Sequence, residues 1–342
     1  MEEKYSVSRS TVLGALQLLE HQGKVSRRQG QGCFVSDPGD NHTLSSVTLI
    51  GYISPSSESD LMLRIYQGIE RAVRGEEMHI LVASSCVDYE TERRQVERMR
   101  DAGCGAIVLS PVWRTREQLQ NDYLTDIPDD IPIILVDLAV PSQGHTRVVF
   151  DNFRAGFDMT EFLLQEGHRR IAFLDLEDDR NAPLEHYAVR ERYEGYRRAM
   201  RSAGLAQLEE RWTLPSTKWV GGISSSSGEL SILLQNWLKR SNPATALIAI
   251  DDSIAMQAIT QASELGISVP NGLQITGFDY LTISRSFHPA FPTTEPDFRH
   301  AGEIAARLAV KRMRGMKQEE LTYILPVPLK RRRMQHSETK LI

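Results

Sequence analysis

Short β-branched apolar runs alternate with amphipathic stretches from Val47 onward, and after Phe150 the alternation begins a second time. A strand–helix series of this kind buries its apolar faces as a parallel sheet covered by helices, because each crossover returns the chain to the same end of the sheet. The first series reads as strand Val47–Ile53, helix Asp60–Gly75, strand Ile80–Ser84, helix Tyr89–Ala102 and strands Ala106–Ser110, Ile133–Val136 and Arg147–Phe150. The second reads as helix Arg154–Gly167, strand Ile171–Leu176, helices Arg190–Gly204 and Gly228–Arg240, strand Ala246–Ile250, helix Ser253–Gly266 and strand Gln274–Phe278. A late helix covers about His300–Gly315. Two such series predict an α/β protein with two doubly wound lobes. The chain has 342 residues, which leaves room for one small module besides.

That module lies at the start. Val12, Leu13, Leu16, Leu18 and Leu19 recur at helical spacing behind Ser8, a good N-cap, and Gly23 ends the helix after Gln22. Val25–Arg28 and Cys33–Val35 read as two strands joined by a tip of Gln29, Gly30, Gln31 and Gly32. A breaker-rich linker follows over 36–46. In a winged helix-turn-helix the recognition helix enters the major groove N-terminus first, where short hydroxyls and guanidinium groups reach phosphates and base edges. Ser8, Arg9, Ser10 and Thr11 occupy that first turn, and Arg27, Arg28 and Gln29 sit on the wing, whose glycines permit close backbone approach.

Charge agrees with this division. From Lys4 to Val35 five basic residues stand against one acidic residue, although the chain as a whole carries a net charge of −5. Phosphate responds to the local field, which is screened within about 10 Å, so a basic module on an acidic body can bind DNA. Cys33, Cys86 and Cys104 show no metal-ligand spacing and suit a reducing cytoplasm. The N-terminus is polar and lacks the apolar run of a secretory signal, and no stretch is long enough to span a bilayer.

From Val7 to Val35 the chain resembles the GntR-type winged-helix regulators, with their VSR-[ST]-TV helix, LE-x-x-G-x-V turn and RRQG-x-G-x-FV wing; Lys24 replaces a usual apolar residue and Cys33 a usual threonine. In that family further helices precede this segment. The resemblance therefore implies a partial domain at 1–35 that needs residues upstream of Met1 for full DNA binding. It also leaves the core side of Leu13, Leu16 and Leu19 partly uncovered, at roughly 1.5–3 kcal/mol of forfeited burial for each exposed side chain.

The rest of the chain, 47–342, resembles the LacI/GalR-type effector-binding core, which is periplasmic-binding-protein-like. The marks are Leu49-Ile50-Gly51-Tyr52-Ile53, Val149-Phe150-Asp151-Asn152, Leu164 to Leu174 around Gly167-His168-Arg169-Arg170, and Arg192 ahead of Gly195-Tyr196. Further on come Pro243 to Asp252 and Gly266 to Asp279. The fusion resembles the arabinose-responsive repressors in layout. It implies a first lobe of about 47–150 and 297–317 and a second of about 151–294 and 320–336. Ligands of open α/β sheets sit beyond the carboxyl ends of strands, which in a two-lobed protein face the cleft. Asp137, Asp251 and Asp279 end strands there. With Arg192 they suit a polyhydroxylated neutral ligand, and by resemblance all four fall on effector-contacting positions. Ser54 and Ser110 also end strands, Trp219 is expected to stack on a sugar face, and Phe298, behind Pro296, to offer an apolar wall. His168 reads as a structural residue, and Lys330 to Arg333 as a solvated edge rather than a second DNA patch.

The reading that follows is a cytoplasmic transcriptional regulator, a repressor, whose partners are operator DNA, a sugar-like effector and a second copy of the chain, with neither cofactor nor membrane involved. The alternative is the solute-binding protein of a transporter, which would need export. An enzyme is disfavoured: no G-x-G-x-x-G, Walker A or nucleophile–base set is present.

Overall fold

The computed structural model describes residues 48–127, 131–138, 140, 144–176, 187–214, 227–316 and 320–331, together with 12, 15, 16, 19, 25–28 and 32–35. The chain divides into two compact units, Met1–Thr48 and Leu49–Ile342. In the first, Val12, Ala15, Leu16 and Leu19 are helical, and Val12, Leu16 and Leu19 are half-buried while Ala15 is exposed. Strands β1 (Val25–Arg28) and β2 (Gly32–Val35) form an antiparallel hairpin with Val25 opposite Val35 and Arg28 opposite Gly32. The expected wing is present as a hairpin, and the described positions of the expected helix are helical.

The second unit begins with β3 (Thr48–Ser54), α1 (Asp60–Val73), β4 (Met78–Ser84), α2 (Tyr89–Asp101), β5 (Cys104–Leu109), α3 (Arg116–Gln120), β6 (Ile133–Asp137) and β7 (Thr146–Phe150). It continues with α4 (Asn152–Gln165), β8 (Ile171–Leu176), α5 (Tyr187–Ser202), β9 (Glu210–Leu214), α6 (Ser227–Leu238), β10 (Ala246–Ala249), α7 (Asp252–Glu264), β11 (Gln274–Thr276) and β12 (Thr293–Thr294). Last come α8 (Phe298–Met313), β13 (Thr322–Leu325) and β14 (Leu329–Lys330). The first-lobe sheet runs β4-β3-β5-β6-β7-β13 and the second-lobe sheet β9-β8-β10-β11. In each, the earliest strand lies inside the sheet and the order reverses beside it, which makes a topological switch point between β3 and β5 and another between β8 and β10. Among the described residues no helix is long and apolar enough to cross a membrane.

One boundary differs from the sequence reading. Residues 320–336 were expected in the second lobe, yet β13 pairs in parallel with β7, Thr322 opposite Arg147 and Leu325 opposite Phe150, and so completes the first-lobe sheet. Only afterwards does the chain return to the other lobe's side, where β14 pairs antiparallel with β12. The short run Thr322–Leu325 has half its side chains exposed, as an edge strand does, and periodicity alone does not say whose edge it joins. Strand β9 was not expected at all. Its sequence Glu-Arg-Trp-Thr-Leu alternates with only Trp212 and Leu214 buried, the pattern of a polar edge.

Each lobe is built around one close helix crossing. A Cβ added at Gly68 of α1 would lie 1.9 Å from the carbonyl oxygen of Arg299 in α8, and one at Gly302 would lie 2.1 Å from that of Ile65. In the second lobe Gly156 of α4 and Gly195 of α5 are placed likewise, 2.0 Å from the Arg192 carbonyl and 2.1 Å from the Phe153 carbonyl. Only glycine lets the backbones approach so closely. The second crossing brings Arg192 against the start of α4.

Candidate functional site

Arg192 is buried, and each of its three guanidinium nitrogens donates one hydrogen bond to the chain itself. Nε donates to Asn152 Oδ1 at 2.9 Å, one terminal nitrogen to the Ile250 carbonyl at 2.7 Å, and the other to Asp279 Oδ1 at 2.6 Å. The plane also lies 4.5 Å from the centroid of Phe278. One side chain on α5 thereby ties together the start of α4, the end of β10 and the turn after β11.

Three carboxylates surround it. Asp137 ends β6 with φ 73, in the left-handed region, and its carboxylate accepts no hydrogen bond from the described residues. Burial pushes this carboxyl up to about 7, and the charge of Asp279 adds to the rise against the pull of Arg192. Asp137 belongs to the first lobe and Asp279 to the second, so the carboxyl ends of the two sheets face one another. Asp251 caps α7, with Oδ1 accepting from the Ile254 amide at 2.8 Å, and burial raises it to about 6. It therefore has a structural duty, with the Ser253 amide bonding it as well. Asp279, like Asp137, has a positive φ, at 87.

The neighbouring Asp252 was not singled out from the sequence. It is fully buried, accepts from Thr293 Oγ1 at 2.5 Å and from the Leu281 amide at 3.1 Å, and burial raises it to about 7. It anchors the turn that carries Asp279. Asn152 is a second omission: its oxygen orients Arg192. Both sit beside residues that were recognised, but their partners are remote in sequence and left no local signal.

The other predicted residues divide. Ser54 and Ser110 are buried at the switch point of the first lobe; the Ser54 hydroxyl donates to the Ser56 carbonyl at 3.2 Å, and Ser110 lies beside the Tyr52 hydroxyl. Phe298 is 3 % exposed and packs edge-to-face on Phe150 at 4.9 Å. Trp219, Ser8, Arg9, Ser10, Thr11 and Gln29 lie outside the described residues; Arg27 and Arg28 are on the wing strand β1. His168 is structural, its Nδ1 sitting 2.9 Å from Thr245 Oγ1, and Lys330 pairs with Glu295 at 2.7 Å.

The segment after β5 is fixed by a buried charge cluster. Arg114 donates to Glu92 Oε1 at 2.6 Å, to Asp122 Oδ2 at 2.8 Å and to the Val112 carbonyl at 2.6 Å. Tyr123 donates to the same Glu92 oxygen at 2.7 Å, and Tyr89 and Tyr123 flank the guanidinium. Burial still holds the Glu92 carboxyl above its ordinary range.

Two lobes with switch points facing one cleft, lined by acceptors around a buried arginine, define a ligand-binding α/β protein. Residues 160–333 match the periplasmic binding protein-like domain, more than half of the chain, and the chain belongs to that family. Residues 1–35 match the bacterial regulatory proteins of the gntR family. The regulator GalS of Salmonella typhimurium is 26% identical over 333 residues, covering 90% of this chain and 91% of its own. An arabinose metabolism transcriptional repressor of Geobacillus stearothermophilus is 24% identical, with 90% and 82% covered. In fold, a LacI family regulator of Enterococcus faecium with bound ribose superposes with TM-score 0.67 at 19% identity, over 84% of this chain and 98% of that one.

Proposed function

We propose that the chain is a DNA-binding transcriptional regulator, a repressor, controlled by a neutral sugar bound between the lobes of its core. The union of a gntR-type segment with this core, in a chain whose relatives are regulators along nearly their whole length, supports regulation over solute transport or catalysis. Arg9, Arg27 and Arg28 are assigned to phosphate and groove contacts, with Ser8, Ser10, Thr11 and Gln29 beside them. The reading places the protein in the cytoplasm with its operator.

The carboxylates around Arg192 carry the ligand class. Arg192 spends three of its five N–H donors on Asn152, Ile250 and Asp279, and its charge is paired with Asp279. What surrounds it in the cleft is acceptors, the carboxylates of Asp137, Asp251 and Asp279. Adjacent hydroxyls donate to such groups, whereas an anion meets uncompensated negative charge. Trp219 is assigned to the sugar face, and Ser54 and Ser110 to the first-lobe wall.

A homodimer completes the proposal. Leu63 on α1 is 52% exposed, Leu81 and Val82 on the edge strand β4 are 39% and 51% exposed, and Ile283, next to the Thr282 that bonds Asp60 of α1, is 67% exposed. A second copy covering some of these exposed apolar side chains would set two winged helices on a palindromic site. Thermal shift of the full chain against free pentoses and hexoses and their phosphates tests the ligand class. A neutral sugar at ~100 times its dissociation constant stabilises by roughly 2.7 kcal/mol, and its phosphate does not. Selection of a DNA palindrome whose binding no sugar alters would remove the effector half of the reading.

A further inference from the structure

Asp279 has two faces. Its carboxylate meets Arg192 inside the second lobe, and its backbone carbonyl is met by an arginine from the first. That arginine is Arg64, one turn into α1 and 7 % exposed. It donates to the Tyr280 carbonyl at 2.7 Å and to the Asp279 carbonyl at 3.4 Å. Asp60, at the start of the same helix, binds Arg64 at 2.6 Å and accepts from the Thr282 amide at 3.1 Å and the Thr282 hydroxyl at 2.8 Å. A carboxylate and a guanidinium one helical turn apart thus read a single turn of the opposite lobe, some 215 residues away in sequence.

The turn they grip is an unusual one. Asp279 and Tyr280 have φ of 87 and 44, so two consecutive non-glycine residues occupy the left-handed region, which costs free energy and persists only where surroundings impose it. From the second lobe, Asp252 holds the Leu281 amide, and Thr294 and Thr293 accept from the Asp279 and Tyr280 amides at 3.3 and 3.4 Å. Those bonds satisfy N–H groups. The Asp279 and Tyr280 carbonyls are satisfied from the first lobe, by Arg64.

We propose that Asp60 and Arg64 are positioning residues for the ligand site: a clasp from the first lobe that fixes the Asp279–Tyr280 turn and so aims the Asp279 carboxylate into the cleft. The clasp rests on the sugar-binding reading for its purpose but not for its existence. Because it spans the lobes, its bonds depend on their arrangement. Ligand affinity and lobe arrangement are then linked through one residue, and the linkage is reciprocal.

Amide hydrogen exchange on the full chain reads the turn without any ligand. In Arg64→Gln, and separately in Thr282→Val, exchange over 279–284 rises about tenfold above wild type while 246–259 is unchanged. Thr282→Val leaves Arg64 in place and keeps the test open if Arg64→Gln does not fold. Calorimetric titration with D-ribose and L-arabinose is the second arm. A sugar that binds the wild type binds both variants at least ~5-fold more weakly, and Arg64→Lys, which keeps a donor, recovers part of the loss. Unchanged exchange at 279–284 in both variants overturns the clasp. Raised exchange with neither sugar bound by the wild type supports the clasp and counts against the sugar reading. Raised exchange with undiminished sugar affinity overturns the positioning role.

Discussion

Arg192 and Asp279 meet at 2.6 Å with side chains only 9% and 8% exposed, and the arginine's other two nitrogens also donate to the chain. The pair behaves as part of the second lobe's frame as much as a ligand contact. Removing one member leaves the other charge buried without its counter-ion.

Arg192→Met is therefore expected to lower stability by about 3–5 kcal/mol, more than Asp279→Asn, which keeps an acceptor oxygen for the arginine. Urea unfolding followed by tryptophan fluorescence measures both. Equal, small losses would mean the pair is dispensable to the frame.

Stability should fall as pH rises toward neutrality. Asp137, Asp251 and Asp252 have carboxyls lifted from 3.8 to about 7, 6 and 7, so between their unfolded and folded values the native state holds more protons than the unfolded chain. Their contribution is intact at about pH 4 and is lost as pH passes through about 6 to 7. Asp137→Asn should flatten part of this slope in thermal melts at a series of pH values. In the same window affinity for a neutral sugar should rise, because ionised carboxylates are the better acceptors.

Gly156→Ala would press a methyl onto the Arg192 carbonyl, 2.0 Å from the ideal Cβ, and there is no flexible side chain to yield. Helices α4 and α5 must separate, at about 1–3 kcal/mol or more. Sugar affinity should drop along with the melting temperature, whereas an exposed α2 substitution such as Glu97→Ala should change neither.

Arg114→Leu would strand Glu92 and Asp122, both fully enclosed, and should cost about 3–5 kcal/mol. Its loss should appear as faster hydrogen exchange over 110–125, with 246–259 of the second lobe spared.

On the wing, Arg28→Ala should weaken DNA binding across sequences and reduce the slope of log affinity against log salt by about 1 for a phosphate contact. Fluorescence anisotropy with a labelled duplex at several salt concentrations gives that slope. An unchanged slope would take Arg28 off the phosphate backbone.

Strands buried on both faces were legible: Ile171–Leu174 and Ala246–Ile250 are continuous apolar runs, and the end of the second located Asp251 without any partner being known. The acids at strand ends were readable because topology alone sends them to the cleft. Arg64 was not. An arginine on an amphipathic helix looks like a solvent face, and nothing local shows that it is buried against a turn in the other lobe. Asp252 was hidden for the same reason, since its partners Leu281 and Thr293 come from later loops. The packing of Phe298 on Phe150 left no local signal either, since the two are far apart in sequence.

The first lobe is finished by residues far along the chain. Helix α8 packs on α1, β5, β6 and β7, with Ala301, Ala305 and Ala309 fully buried, and β13 supplies the edge beside β7. The first five strands of that sheet precede α8 by about 150 residues, whereas the four strands of the second-lobe sheet follow one another consecutively. Closing the lobe begun first therefore waits on a segment made after the second-lobe sheet, and β14 returns to the second lobe's side only after that.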